Sequence, residues 1–418
     1  MTTLEDWIRY GDELRRPLCV ARALPLSSTI CVVGAGLSGL TVAYRIASKR
    51  PDVNVEIVER SERIGGVIDT WKQGDWLCDV AVNATRPHPA FWRLVNDLNL
   101  GEQFKPSNDD ANTRWISIGG RRRKLSPWIM LPFGPLKLLT GLKKARQGKR
   151  SVAEAIPLPP INDAMTLGIV NDRASNVDAD LLMPSMTRFG EEPPIKWMKI
   201  KNKMKETYTL FQPKKGSTAS FAGGMQTLVE RLEQSLNLLD NVSFTLNSVV
   251  STPKEIALDR DLPLSSVIWC APLNREPKEF TEINIYAVGY ACTDVSSVPI
   301  GYGTLIPDRD SPISGILHES DVHGTPRAPE GHRLFRIMSP AIQTQSMISI
   351  KDSLRRHLSD AEPILFEHIG ARKIPSYPPG YMATLSVVNP EFTRAGWFFS
   401  GVSVTHVVAE AERIAAEF

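Results

Sequence analysis

Residues 29–59 change hydrophobic period twice within a short stretch. Ile30, Cys31, Val32 and Val33 form an unbroken apolar run, the pattern of a parallel strand buried on both faces. Leu40, Val42, Ala43 and Ile46 then fall at helical spacing, and Val55–Val58 is a second apolar run. The pattern predicts strand, helix, strand. Further on, Leu228, Leu232 and Leu236 recur every fourth residue behind Gly223 and Gly224, which predicts an amphipathic helix. Strands are expected at Val242–Leu246, Ser248–Val250, Ser266–Pro272 and Gly396–Gly401, the last followed by a helix to Phe418. Residues 276–365 read as strands and turns, with Ile285–Cys292, Gly301–Pro307, Gly315–Ser320 and His332–Met338 as candidates. Residues 121–214 are proline-rich, basic, and helical or irregular, and residues 1–28 form an extension.

The turn between the first strand and helix carries Gly34, Gly36 and Gly39, spaced G-x-G-x-x-G. Such a spacing alone is weak, but here it sits between a strand and a helix, where each glycine has a task. Gly34 permits the tight turn, Gly36 lets backbone approach a pyrophosphate, and Gly39 lets helix and strand pack closely. The helix then directs its free N–H groups and positive dipole end at the phosphates. Glu59 ends the second strand twenty positions beyond Gly39, where a carboxylate accepts from ribose hydroxyls. The order predicts a dinucleotide site. Arg63, Gly65 and Gly66 add R-x-G-G directly afterwards, which resembles the two-dinucleotide-binding-domain flavoproteins. A nicotinamide enzyme has no need of that extension, so the expected cofactor is FAD.

Composition sets outer limits. At 418 residues the chain can bury two lobes around a cleft, and 42% hydrophobic with 23% charged residues is globular composition. A net charge of +3 and the lack of zinc-finger or RNA-binding patterns argue against nucleic acid. Five scattered cysteines without a C-x-x-C pair read as reduced, mostly buried thiols of an intracellular protein. Neither a secretory signal nor a membrane-spanning apolar run is visible.

Taken in order, the stretches resemble the protoporphyrinogen oxidase branch of the amine-oxidase-type flavoproteins. Leu125–Leu142 sits where these oxidases carry a proline-broken apolar stretch behind a basic segment. Gly301–Pro307 with Gly315–Ser320 looks like their G-[FY]-G-x-L-[VI]-P and G-x-x-x-[DE]-S pair, and Ala371–Gly380 resembles their I-P-x-Y-x-x-G turn. The resemblance implies an α/β fold with a discontinuous Rossmann-like FAD-binding domain (29–120, 215–275 and 366–418). A mixed α+β substrate domain (276–365) and a helical segment (121–214) complete it. It also implies cofactor contacts at Gly34, Ala35, Gly36, Leu37, Ser38, Gly39, Glu59, Arg60, Arg63, Gly65, Gly66, Val249, Gly401, Val404 and Thr405. An arginine in an R-P pair shortly after the acidic D/E-[LV]-G-P strand meets a porphyrinogen propionate in animal-type members. Here Asp79 through Pro87 places Arg86 at that position, and a guanidinium binds a carboxylate through two parallel hydrogen bonds. The competing reading of Arg86 is a surface arginine in a loop.

Two departures stand out. Ala81-Val82 replaces the usual glycine-proline, and the C-terminal A-G-x-x-Y-x-G-x-G-x-x-D-C-I is shortened to Ser400–Val408. Val404 and Thr405 would then supply the N–H groups that face the flavin pyrimidine oxygen.

The implied reaction is stepwise dehydrogenation of protoporphyrinogen IX to protoporphyrin IX, with hydride passing to the flavin and molecular oxygen yielding hydrogen peroxide. The cofactor carries that chemistry, so no side-chain acid or base and no metal is assigned. His88, near Arg86, and His406, at the final helix start, read as structural before catalytic. The apolar run Trp128–Leu142 ahead of Lys143–Arg150, and the alternation Lys196–Lys205, fit either a lipid-surface segment or a substrate lid with a solvated basic face. The lipid reading places the protein peripherally on a membrane, the mitochondrial inner membrane in a eukaryote and the cytoplasmic membrane otherwise. Another amine-oxidase-type activity, a non-catalytic tetrapyrrole- or partner-binding relative, and an oligomeric state all stay open.

Overall fold

The computed structural model describes residues 18–22, 28–86, 88–126, 135–183, 187, 218–272, 280–308, 310–341, 347–385 and 390–418. The Lys196–Lys205 and Trp128–Phe133 stretches lie outside these residues. Sixteen strands occur among the described residues. The first nine are β1 (Thr29–Val33), β2 (Asn54–Val58), β3 (Thr70–Gln73), β4 (Trp76–Asp79), β5 (Phe104–Pro106), β6 (Arg114–Ile118), β7 (Arg121–Lys124), β8 (Ala219–Phe221) and β9 (Val242–Thr245). They are followed by β10 (Val267–Trp269), β11 (Phe280–Ala291), β12 (Gly303–Leu305), β13 (Gly315–Leu317), β14 (His332–Pro340), β15 (Leu365–Pro375) and β16 (Thr393–Arg394).

One sheet is wholly parallel and runs β16-β10-β1-β2-β9. The predicted helix after β1 is α1 (Leu37–Lys49), which stops at Arg50 because Pro51 disfavours further helix. Its Leu40, Val42, Ala43 and Ile46 have 0% exposure, packed with Leu228, Leu232 and Leu236 of the glycine-led helix Gln226–Asn237. Each such leucine or isoleucine stabilises the fold by about 1.5–3 kcal/mol through burial. The C-terminal helix Val404–Ala416 joins the same core through Val407, Val408 and Ile414, and Lys49 Nζ donates to its last carbonyls at Ala415 and Ala416.

The second sheet runs β15-β11-β14-β13-β12-β6-β7, antiparallel except where β12 meets β6. Strand alternation divides its faces. Phe335 and Ile337 of β14 meet Ile350 and Leu354 of the helix Met347–His357 on one face. Leu334 faces the opposite way, toward Cys78 and the β3–β4 hairpin. That hairpin packs so closely that a side chain on Gly289 would strike the Trp76 indole at 2.4 Å.

Several sequence expectations change. Arg114–Lys124 spans the expected boundary at 120 between cofactor domain and helical region, and Leu365–Pro375 the one at 365 between substrate and cofactor domains, yet hairpin β6–β7 and strand β15 both pair in the second sheet. Ser248–Val250 is not a strand; Ser248 N–H instead donates to the Glu59 carbonyl at 2.9 Å, laying this segment beside the end of β2. Gly396–Gly401 is not a strand either. Gly396 and Gly401 take φ of 119° and 84°, and Trp397–Ser400 between them coils into one helical turn. The strand expected there is β16, which ends two residues earlier.

The basic middle region is helical as expected, with Pro135–Ala145, Val152–Ala155, Ile161–Val170 and Ala179–Leu182. Leu136 and Leu139 are exposed on the first of these. No helix among the described residues is long and apolar enough to cross a membrane.

His357 closes the helix Met347–His357 and is 7% exposed. Burial, then the neighbouring Arg122 and Arg356, push it down to about 4, with Asp308 opposing. The unfolded chain therefore takes up a proton near pH 6.5 that the folded chain refuses until near pH 4. This stability is present above pH 6.5 and is lost as pH falls through that window. Between pH 7.5 and 4.5 the protein is expected to lose roughly 2–3 kcal/mol more than His357→Gln, measured by denaturant unfolding. Equal losses would refute the assignment.

Candidate functional site

The C-terminal ends of β1, β2 and β10 gather the glycine turn, Glu59 and Cys270, the position where open parallel sheets bind ligands. Gly34 has φ of 102° and donates its N–H to the Val58 carbonyl at 2.8 Å. At Gly39 a Cβ would lie 1.9 Å from the Gly34 carbonyl oxygen, so helix and turn touch there. Gly36 differs: a Cβ would meet nothing nearer than Gly66 Cα at 3.9 Å. The protein itself therefore leaves space in front of Gly36. Above that space α1 begins with no capping side chain and no acid in its first turn, although Ala35, Leu37 and Ser38 are buried around it. Free N–H groups and the dipole there call for an anionic partner.

Glu59 is half-buried at the end of β2. Its Oε2 accepts from Ala35 N–H at 2.8 Å, and Oε1 accepts from Ser61 N–H and Oγ at 3.0 and 2.8 Å. A carboxylate has about four acceptor positions, so one is left for a hydroxyl. Val249, 75% exposed, lies beside it next to Ser248, whose N–H donates to the Glu59 carbonyl. Gly65 and Gly66 take φ of 102° and 60°, and Gly65 donates to Ala35 O at 2.7 Å. Arg63 shapes this turn directly, donating to the carbonyls of Ile64, Gly66 and Ile68 at 3.2, 2.6 and 3.0 Å. Arg60 is exposed at the strand end. These residues fit an ADP-containing cofactor.

A distant segment reaches the glycine turn: a Cβ on Gly396 would meet Cys270 O at 3.7 Å and Ser38 Oγ at 3.8 Å. Gly396 N–H donates to Glu410 at 2.7 Å and the buried Tyr377 hydroxyl donates to Trp397 O at 3.0 Å, fixing the Gly396–Gly401 turn. Val404 opens the C-terminal helix behind Ser403, whose side chain caps nothing; Val404 and Thr405 are 7% and 5% exposed. The shortened segment thus retains a helix N-terminus. Cys270 beside the cradle is pushed up to about 12 by burial, so its thiol stays protonated and takes no part as a nucleophile. All five cysteines are free thiols.

The segment Asp79–Arg86 bridges the two sheets. Asp79 Oδ1 accepts from Thr70 Oγ1 and Met225 N–H, both at 2.7 Å, and Oδ2 faces Arg327 at 3.5 Å. Arg327 continues to Phe221 O and His323, and His323 meets Glu319 at 2.8 Å. Arg336 pairs with Glu319 at 3.2 Å and donates to Asp79 O and Ala81 O at 2.6 and 3.2 Å. Burial alone would raise Glu319, but Arg336 and His323 outweigh it and hold its carboxyl below the usual range. Arg372 also donates to Ala81 O, at 2.9 Å. Asn83 donates to the Tyr302 hydroxyl at 3.2 Å, and Arg114 stacks over the Tyr302 ring at 4.6 Å. Arg86 follows, exposed. His88 is buried and accepts from Ala90 N–H as the N-cap of the helix Pro89–Asp97, a structural role.

The glycine turn and its flanks, residues 32–98, match the NAD(P)-binding Rossmann-like domain family. Protoporphyrinogen oxidase 2 of Arabidopsis thaliana is 33% identical over 123 residues, 29% of this chain and 22% of that protein. The match thus spans about a fifth of that relative's length. Protoporphyrinogen oxidase of Bos taurus is 22% identical over 362 residues, 71% of this chain and 73% of that one. A crystal structure from Exiguobacterium sp. 255-15, provisionally titled a protoporphyrinogen oxidase, superposes with a TM-score of 0.66 at 15% identity, covering 94% of this chain and 99% of that chain. The chain carries the amine-oxidase-type flavoprotein fold.

Within this flavoprotein fold, the expected cradle residues Gly34–Gly39, Glu59, Gly65, Gly66 and Val249 come together at one sheet edge. Sequence reading missed Arg327, Arg336 and Arg372. A signal existed for Arg336, which interrupts the apolar run Leu334–Met338; Arg372 lies in a strand that also carries Glu367, His368 and Lys373 and stands out less. A cavity of about 460 Å³ lies elsewhere, lined by Gly120, Arg122, Arg355, Arg356 and His357, at the edge of the second sheet and outside this crevice. No group of three or more metal-ligating side chains occurs among the described residues.

Proposed function

We propose that the protein is an FAD-dependent oxidase that dehydrogenates a reduced tetrapyrrole, protoporphyrinogen IX to protoporphyrin IX. Each pair of hydrogens removed would reduce one molecular oxygen to hydrogen peroxide. One observation supports this reading most. Two of the stretches that resemble the porphyrinogen branch, the Gly301–Pro307 and Gly315–Ser320 pair and Ala371–Gly380, converge on the segment carrying Arg86: Tyr302 accepts from Asn83, Glu319 reaches Asp79 through Arg336 and through His323 and Arg327, and Arg372 donates to the Ala81 carbonyl.

FAD, when bound, supplies two-electron acceptance. Gly36 and the start of α1 would hold its phosphates, with Ala35, Leu37, Ser38 and Gly39 shaping that turn. Glu59 would hold the ribose, and Val249 and Arg60 would border the adenine. Arg63, Gly65 and Gly66 form the facing turn. Gly401, Val404 and Thr405 would hold the flavin end through backbone N–H groups. Arg86 would bind a substrate carboxylate, and the second sheet would exclude water from the cleft.

Freshly purified protein is expected to be yellow and to consume oxygen with protoporphyrinogen but not with a panel of primary amines. Protein free of flavin and without oxidation of either substrate class would sink the proposal. Arg86→Ala is expected to raise KM about tenfold or more with flavin occupancy unchanged, the loss of one charge-assisted pair. Loss of flavin instead would make Arg86 a structural residue.

A further inference from the structure

Arg372 occupies an unusual position among the arginines of the bridging region. Arg327 faces Asp79, and Arg336 faces Glu319. Arg372 faces no carboxylate among the described residues; its one hydrogen bond is Nη1 to the Ala81 carbonyl at 2.9 Å. Its Nε is buried with no acceptor, and Nη2, which lies alongside Nε, makes no hydrogen bond among the described residues. The side-by-side Nε–Nη2 edge is the half of a guanidinium that grips a planar oxyanion through two parallel bonds.

The surroundings exclude an ordinary surface arginine. Gly370 and Arg372 lie two apart on β15, on the side facing Val80 and Ala81: a Cβ on Gly370 would strike Val80 at 2.7 Å. The residue keeps some accessible surface, so it borders space rather than solid core. Its Nε itself is buried, and burial, reinforced by nearby Arg336, pushes the guanidinium down to about 10. A half-buried guanidinium that has a buried N–H without acceptor and faces no carboxylate among the described residues is costly unless an anion completes it. The Ala81 carbonyl it holds stands five residues before Arg86, at most ~17 Å along the chain. Arg86 on this segment and Arg372 against it give two cations, which match a substrate with two carboxylates.

We infer that Arg372 is a binding residue for a substrate carboxylate, taken through its Nε–Nη2 edge, and that with Arg86 it selects a diacid. This rests on the tetrapyrrole reading above.

The test compares protoporphyrin IX with its dimethyl ester on the FAD-loaded protein, by quenching of tryptophan fluorescence in a mild detergent. The wild type is expected to prefer the diacid by roughly tenfold or more. Arg372→Met should reduce that preference to about twofold or less, Arg372→Lys should retain part of it, and flavin content and flavin midpoint potential should be unchanged in both. Arg336 still donates to the Ala81 carbonyl in Arg372→Met, so Tm should be little changed, which separates ligand binding from a structural role. A diacid preference that survives in Arg372→Met overturns the inference and leaves the tetrapyrrole reading standing. A shifted flavin potential with unchanged diacid preference overturns it in favour of a flavin-facing role. Failure of the wild type to bind either porphyrin sinks the tetrapyrrole reading itself.

Discussion

Replacing Gly36 by valine is expected to give a folded, colourless protein, with flavin affinity reduced at least a hundredfold. The reasoning turns on where the space in front of Gly36 leads. A Cβ there would sit 3.9 Å from the nearest protein atom, and the backbone at φ −75° and ψ 176° suits any residue. Nothing in the polypeptide therefore demands glycine. Under the proposed function, the demand would come from a pyrophosphate against the bare N-terminus of α1. Gly39→Ala is the contrasting case. Its Cβ would fall 1.9 Å from the Gly34 carbonyl oxygen, so helix and strand must part, costing about 3 kcal/mol or more by overpacking. Flavin titration by fluorescence quenching separates the two, with thermal unfolding of the flavin-free proteins alongside. If Gly36→Val lost stability to the extent of Gly39→Ala, or stayed yellow, the cofactor would not lie in this cradle.

The contrast also shows why part of this site is legible in the sequence. The change from apolar run to helical period and back, with Gly34, Gly36, Gly39 and Glu59 at the joints, is local. Every residue needed to read it lies within 31 positions, and the structure places α1, β1 and β2 where the pattern does. Leu228, Leu232 and Leu236 are legible for the same reason. The failures occur where local pattern and conformation part. The aromatic run Trp397–Phe399 has strand propensity, but glycines with positive φ at both ends turn it into a helical coil. Val249 and Val250 look like a strand, yet Ser248 bonds to the end of β2 and turns Val249 outward. The partners of Arg336 and Arg372 are illegible because they are remote. Arg336 grips the Asp79 carbonyl across 257 positions and Arg372 that of Ala81 across 291. An arginine inside an apolar strand signals that some such partner exists; only the fold says which.

Removing Arg327 should have the largest effect on stability of any single change in the bridging region. Arg327→Met is expected to cost about 3–5 kcal/mol, because it leaves Asp79 charged in the interior without its cation. Asp79 is 0% exposed and keeps only the Thr70 hydroxyl and the Met225 N–H. Burial already raises its carboxyl above the usual range, and Arg327 is the main force holding it down. Without Arg327 that rise grows, so the sign of the pH dependence is fixed. A carboxyl with a raised folded value incurs no penalty below its unfolded pKa and loses stability as pH climbs toward the folded one. The deficit of Arg327→Met should accordingly be smaller at pH 5 than at pH 8. Adding Asp79→Asn to the variant should recover part of it, since an amide needs no counter-charge. Denaturant unfolding of the two single variants and the double variant at both pH values checks this. A deficit below 1 kcal/mol, or one that grows on acidification, would show that the Asp79–Arg327 contact does not carry the junction between the two sheets.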